Sequence, residues 1–161
     1  MSKITLDNKR VLIVDDEPDV LESLEELLDM CTTVKAQTFD QAKKLLETEK
    51  FDIAILDIMG VDGYQLLGIA KKKNVLTVML TANALSPDNI KRSYLGGAGS
   101  YIPKEKMIDI EAFLLDVLKD REEGKNPWIG WYKRLEFYLT DKFGSDWDRD
   151  DKKFWNKKDP S

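Results

Sequence analysis

Three runs, Val11–Val14, Ile53–Leu56 and Val75–Leu80, are apolar almost throughout and show little of the alternation that a half-exposed strand carries. Such runs read as strands covered on both faces, the pattern of a parallel sheet between helical layers. Two weaker strands fit Thr33–Thr38, where Val34 and Ala36 alternate with polar neighbours, and Ser100–Ile102. Helical spacing fills the intervals. Leu21, Leu24, Leu28 and Cys31 form one face, with Pro18 at a plausible first helical position; Ala42, Leu45 and Leu46 form a second, and Leu66, Leu67 and Ala70 a third. Ile90, Tyr94 and Leu95 make a fourth, capped by Ser86 ahead of Pro87 and stopped by Gly96 and Gly97, while Ile110, Phe113, Leu114, Val117 and Leu118 mark a fifth. Strands alternating with helices over short connections predict an α/β fold, a doubly wound five-stranded parallel sheet with right-handed crossovers.

In such sheets ligands bind beyond the carboxyl ends of the strands. Here the first strand ends at Asp15 and Asp16, the third at Asp57, the fourth at Thr81, and the fifth just before Lys104. A buried strand that delivers a carboxylate to its tip needs a partner for that charge. Three acids on one rim repel one another, and an oxygen-liking divalent cation, Mg2+, suits them. Metal, carboxylate, ammonium and hydroxyl together suit phosphoryl transfer with Asp as the nucleophile, giving an aspartyl phosphate.

Other chemistries are poorly served. The chain has no histidine and a single cysteine, Cys31, so zinc, haem and His-based catalysis are poor hypotheses. No Walker-type GxxxxGK[ST] loop occurs, and Met59 stands where an Asp-nucleophile phosphatase of the haloacid dehalogenase type needs its second acid. The first residues lack the apolar core of a secretory signal and no run is long enough for a membrane span, so a cytoplasmic location without membrane association is expected. A net charge of −5 argues against nucleic acid as a partner.

The segments VLIVDDEP, AILDIMGVDG, VMLTANA and SYIPKEK resemble the receiver domain of two-component response regulators, the CheY-like family, over about residues 9–121. The resemblance implies a flavodoxin-like sheet of order 2-1-3-4-5. It implies that Asp57 is the phosphoacceptor, that Asp16 ligates Mg2+ directly and Asp15 largely through water, and that the main-chain carbonyl of Met59 completes the protein ligands beside Asp57. Thr81 would be the switch hydroxyl, Lys104 the cation that contacts the phosphoryl group, and Tyr101 the aromatic whose rotamer follows Thr81. Ala82 would keep the phosphoryl group reachable, and Met59 and Asn83 occupy positions that tune its hydrolysis. Two features depart from the family pattern. The loop DIMGVDG is about two residues short and lacks a proline, and Pro103 precedes Lys104 where a proline normally follows the lysine; a cis Ile102–Pro103 bond is one outcome the sequence allows.

These expectations divide the chain into a receiver domain, residues 1–123, and a C-terminal helical extension, residues 124–161, that holds all four tryptophans. In the extension Trp128, Trp131, Tyr132, Leu135, Tyr138 and Leu139 recur at helical spacing up to Gly144, and Ser145 could cap a last short helix containing Trp147. So short a piece cannot build its own core. An aromatic staple on the receiver is the favoured reading, and a partner or homodimer surface the other. With nine Lys/Arg against seven Asp/Glu, the extension is too balanced for a DNA-binding face.

Two functions follow. One is a phosphorylatable switch, not a turnover enzyme, that takes its phosphoryl group from a sensor histidine kinase or histidine phosphotransfer protein and changes its binding of a downstream protein. The resemblance implies that this change falls on the face built from the fourth helix, fifth strand and fifth helix. The other is a degenerate receiver serving as a phosphorylation-independent docking or dimerisation module, with the short loop as its best support.

Overall fold

The computed structural model describes residues 4–82 and 86–144. Five strands, β1 (Arg10–Val14), β2 (Thr32–Ala36), β3 (Ile53–Asp57), β4 (Leu76–Thr81) and β5 (Ser100–Pro103), form one parallel sheet in the order β2-β1-β3-β4-β5. Helices α1 (Pro18–Leu27), α2 (Phe39–Thr48), α3 (Gly63–Lys72), α4 (Pro87–Leu95) and α5 (Ile110–Glu122) connect and follow the strands, and α6 (Pro127–Phe143) comes last. Every residue of β3 and β4 is buried, so both faces of the sheet centre are covered, as the unbroken apolar runs require. The expected fold class and strand order are therefore present.

Element ends differ from expectation for local reasons. The repeat expected to carry the first helix on to Cys31 stops at Leu27, because Leu28 leaves helical geometry while its N–H still reaches the Leu24 carbonyl at 2.9 Å. Cys31 lies in the following turn, its thiol against the Leu6 carbonyl at 3.4 Å. The second strand runs over Thr32–Ala36 rather than Thr33–Thr38, since Thr38 is used as the N-cap of α2, its hydroxyl accepting from Gln41 N–H at 3.2 Å. Val75 closes the end of α3 by donating to the Ala70 carbonyl, and β4 starts one residue later and extends to Thr81, opposite Pro103. Ser86 caps α4 as expected, accepting from Asn89 N–H at 3.1 Å. A six-residue 3-10 turn, Lys104–Asp109, intervenes before α5 and was not anticipated.

The aromatic stripe of α6 packs on the receiver. Trp128, Trp131, Leu135 and Leu139 are buried, and α6 lies against α5 and the edge strand β5. Each such side chain contributes on the order of 2 kcal/mol of burial. Two indole N–H groups donate to main-chain carbonyls, Trp128 to Ala98 at 2.8 Å and Trp131 to Tyr101 at 2.5 Å. A sheet edge presents unpaired carbonyls, and α6 thus covers this one. Around it, Arg134 pairs with Asp116, and Tyr138 and Lys142 meet Glu105 at 3.1 and 3.2 Å. The short helix expected from Ser145, with Trp147, lies outside the described residues.

Candidate functional site at the carboxyl edge of the sheet

The register of the sheet decides which side chains meet. Val14 pairs with Leu56 and Asp57 with Leu80, so the residues just past these pairs, Asp15, Asp16 and Thr81, emerge at one level beside Asp57. Asp15 and Thr81 are buried, Asp57 is only 5% exposed, and Asp16 faces solvent. Lys104, the first residue after β5, reaches across the rim: its Nζ lies 3.0 Å from Asp15 Oδ2, 3.6 Å from Glu17 Oε1 and 3.8 Å from Asp57 Oδ1. A cavity of about 110 Å3 is lined by Asp16, Glu17, Asp57, Met59, Gly60, Ala82 and Lys104. Tyr101, fully buried in β5, stands behind the rim; its hydroxyl is hydrogen bonded to Thr81 and to the backbone N–H of Ser86.

This crowding sets the electrostatics. Burial, then the Asp15 charge, pushes the Asp57 carboxyl up to about 7 despite the counteracting Lys104 ammonium. Asp15 is also raised, first by burial, although the Glu17 N–H bond and Lys104 oppose the shift. Burial would depress the Lys104 ammonium, but the Asp15 carboxylate, with Asp57 and Glu17, more than reverses that, and the group sits above its ordinary value. One lysine cannot neutralise so many acids.

Asp15, Asp16 and Glu17 each offer a carboxylate oxygen within 4.8 Å of the others. Asp15 Oδ1 is taken by the Glu17 N–H at 2.9 Å, whereas Oδ2 is buried and meets Lys104 off the line of a good hydrogen bond. An all-oxygen donor set with an under-satisfied buried carboxylate atom fits a hard divalent cation such as Mg2+. The Met59 carbonyl accepts the Val61 N–H at 2.9 Å, which leaves it a second lone pair for a ligand.

The shortened loop is built with unusual backbone. Gly60 and Asp62 have φ of +80° and +55°, and Asp62, in the left-handed region, leads directly into α3. At Gly60 an added Cβ would lie 2.6 Å from Asp16 Oδ2, so the loop passes directly against the acid cluster. No described peptide bond is cis, so the Ile102–Pro103 bond is trans and Lys104 leaves β5 through an extended Pro103.

The structure thus gathers Asp16, Asp57, Met59 and Lys104 about one cavity, with Asp15 buried against the Lys104 ammonium, Thr81 beside it and Tyr101 one layer behind. Asn83 lies outside the described residues. Glu17 is the acid that sequence reasoning passed over; its signal was its place directly after Asp15 and Asp16. It contributes to the acid cluster and contacts Lys104.

A parallel sheet of this order, with acids and a lysine at its carboxyl edge, defines a receiver-like α/β domain. A family model of the response regulator receiver domain matches residues 11–114, and the chain belongs to that family. The heme response regulator HssR of Staphylococcus saprophyticus is 34% identical over 113 residues, covering 64% of this chain and 50% of that protein. HssR of Staphylococcus aureus strain MRSA252 is 36% identical over 101 residues, 58% of this chain and 43% of the relative. The chain therefore spans half or less of the length of these relatives. Among solved structures, the receiver domain of the Francisella response regulator 1452 aligns with a TM-score of 0.62 at 26% identity, covering 71% of this chain and 99% of that one. A CheY-like receiver domain from Methanospirillum hungatei aligns with a TM-score of 0.60 at 27% identity and the same coverage. Helix α6 falls outside the residues matched by the family model. No helix among the described residues is long and apolar enough to cross a membrane.

Proposed function

We propose that the chain is a cytoplasmic, Mg2+-dependent phosphorelay switch that accepts a phosphoryl group on Asp57 from a sensor histidine kinase or histidine phosphotransfer protein. The observation that carries this reading is the convergence of Asp57, Lys104, Asp16 and Glu17 on one small cavity, with the buried Asp15 carboxylate 3.0 Å from the Lys104 ammonium. Mg2+, held by Asp15, Asp16, Asp57 and the Met59 carbonyl, would supply positive charge to the acids and to the phosphoryl oxygens. Neutralising the cluster in this way would return Asp57 to its charged, nucleophilic form. An Asp57 oxygen then attacks phosphorus, an acyl phosphate forms, and the P–N bond of the donor phosphohistidine breaks. Lys104 is close enough to balance the incoming charge, and the Thr81 hydroxyl stands ready to donate to a phosphoryl oxygen. The consequence is a population shift that alters binding of a downstream protein.

Incubation with acetyl phosphate and Mg2+ is expected to add one phosphoryl mass to the intact chain. That gain should be absent in Asp57→Ala and in wild type treated with a chelator. A wild-type chain that gains nothing with Mg2+ present would make the domain a docking module instead.

A further inference from the structure

Tyr101 touches both the rim and α6. Its side chain is fully buried, with its hydroxyl on Thr81 and on the Ser86 N–H at the start of α4. Its carbonyl is held from the other side by the indole N–H of Trp131. Trp128, one turn earlier on α6, donates instead to Ala98, ahead of β5, and packs edge-on against Tyr94 of α4 with ring centroids 5.5 Å apart. Helix α6 therefore occupies, within the same chain, the surface formed by α4, β5 and α5.

We propose that this surface is a docking site for the chain's own α6, and that the seating of α6 and the loading of Asp57 reinforce each other through Tyr101. The inference rests on the phosphoacceptor reading. A hydroxyl accepts and donates at once, so Thr81 can accept a hydrogen bond from the Tyr101 hydroxyl and donate one of its own to an oxygen on Asp57. Hydrogen bonds in such a relay strengthen one another. The relay needs the Tyr101 ring in its buried position, and the Trp131 bond fixes the β5 backbone that puts it there. Coupling between two binding events is reciprocal: if a seated α6 favours the loaded rim, a loaded rim tightens α6 by the same factor. The extension acts as an internal ligand that reads the rim, and a partner that needs this surface must displace it.

The test uses the full chain with beryllofluoride and Mg2+ as the probe, measured by calorimetry. Trp131→Phe keeps an aromatic ring but loses the donor to Tyr101, and is expected to weaken beryllofluoride binding about three- to tenfold, the range of one net hydrogen bond. Trp128→Phe loses an equivalent bond from the same helix to Ala98 and should stay within about twofold of wild type. In a Tyr101→Phe background, Trp131→Phe should add nothing, because the link is already cut. Equal affinity in Trp131→Phe and wild type, or an equal loss in Trp128→Phe, overturns the coupling. A wild-type chain that binds no beryllofluoride overturns the phosphoacceptor reading itself and the coupling with it. Hydrogen exchange on wild type gives an independent readout should a variant fold poorly: beryllofluoride should slow exchange of the α6 amides, and unchanged or faster exchange contradicts the proposal.

Discussion

Without Mg2+, Asp57→Asn is expected to stabilise the fold at pH 8 by about 2–4 kcal/mol, measured by urea denaturation. The Asp57 carboxyl is raised from 3.8 to about 7 in the fold, first by burial and then by the Asp15 charge. Between those values the folded chain binds a proton that the unfolded chain does not, so stability falls as pH rises through that window. The favourable state is fully present below pH 4 and lost once pH passes about 7. Asparagine has the same shape without the charge, so the advantage of the variant should shrink steadily from pH 8 toward pH 4. Lys104 is not orphaned by the change, because Asp15 stays 3.0 Å away. Adding Mg2+ should raise the stability of wild type more than that of the variant. Equal stability of the two proteins at pH 8 in chelator would mean that the Asp57 charge is not confined as described.

Gly63→Ala is expected to cost about 3 kcal/mol or more, read as a fall in the urea midpoint or as failure to fold. A Cβ at Gly63 would sit 2.3 Å from the Asp57 carbonyl oxygen and 2.9 Å from Ile58 Cα. Both are backbone atoms and cannot rotate away. The clash follows from the short loop: α3 starts so soon after β3 that its first residue lies on the end of the strand that carries Asp57. Gly68, on the same helix, meets nothing within 4 Å, so Gly68→Ala should be neutral or stabilising by about 0.5–1 kcal/mol. Equal effects at the two glycines would contradict the contact between α3 and the tip of β3.

The contrast between these glycines shows where the sequence is readable. Ile53–Leu56 announces a buried strand because it is apolar at every position, and the charge at Asp57 then marks the tip of that strand. The order of Asp15, Asp16, Asp57, Thr81 and Lys104 along the chain already places them on one edge, since parallel strands all end on the same side. Boundaries were harder, because a residue's type does not say which of two bonds it makes. Thr38 suits a strand by composition but is taken as a cap by Gln41 N–H, and Leu28 continues a helical repeat in a turn that has already left the helix. Gly63 is visible as a glycine, but only the fold reveals the carbonyl beneath it. The stripe of α6 predicts a buried face without naming what buries it. That Trp131 finds the Tyr101 carbonyl depends on β5 being an edge strand with α5 beside it, a long-range fact that no local pattern contains.

On the proposed function, the acid at the tip of β3 is the one that takes phosphorus. Borohydride reduction of the acetyl phosphate-treated chain, followed by peptide mass mapping, tests this directly, since only an acyl phosphate is reduced to the alcohol. Homoserine is expected at position 57 and nowhere else. Reduction at Asp15, Asp16 or Glu17, with residue 57 intact, would contradict it.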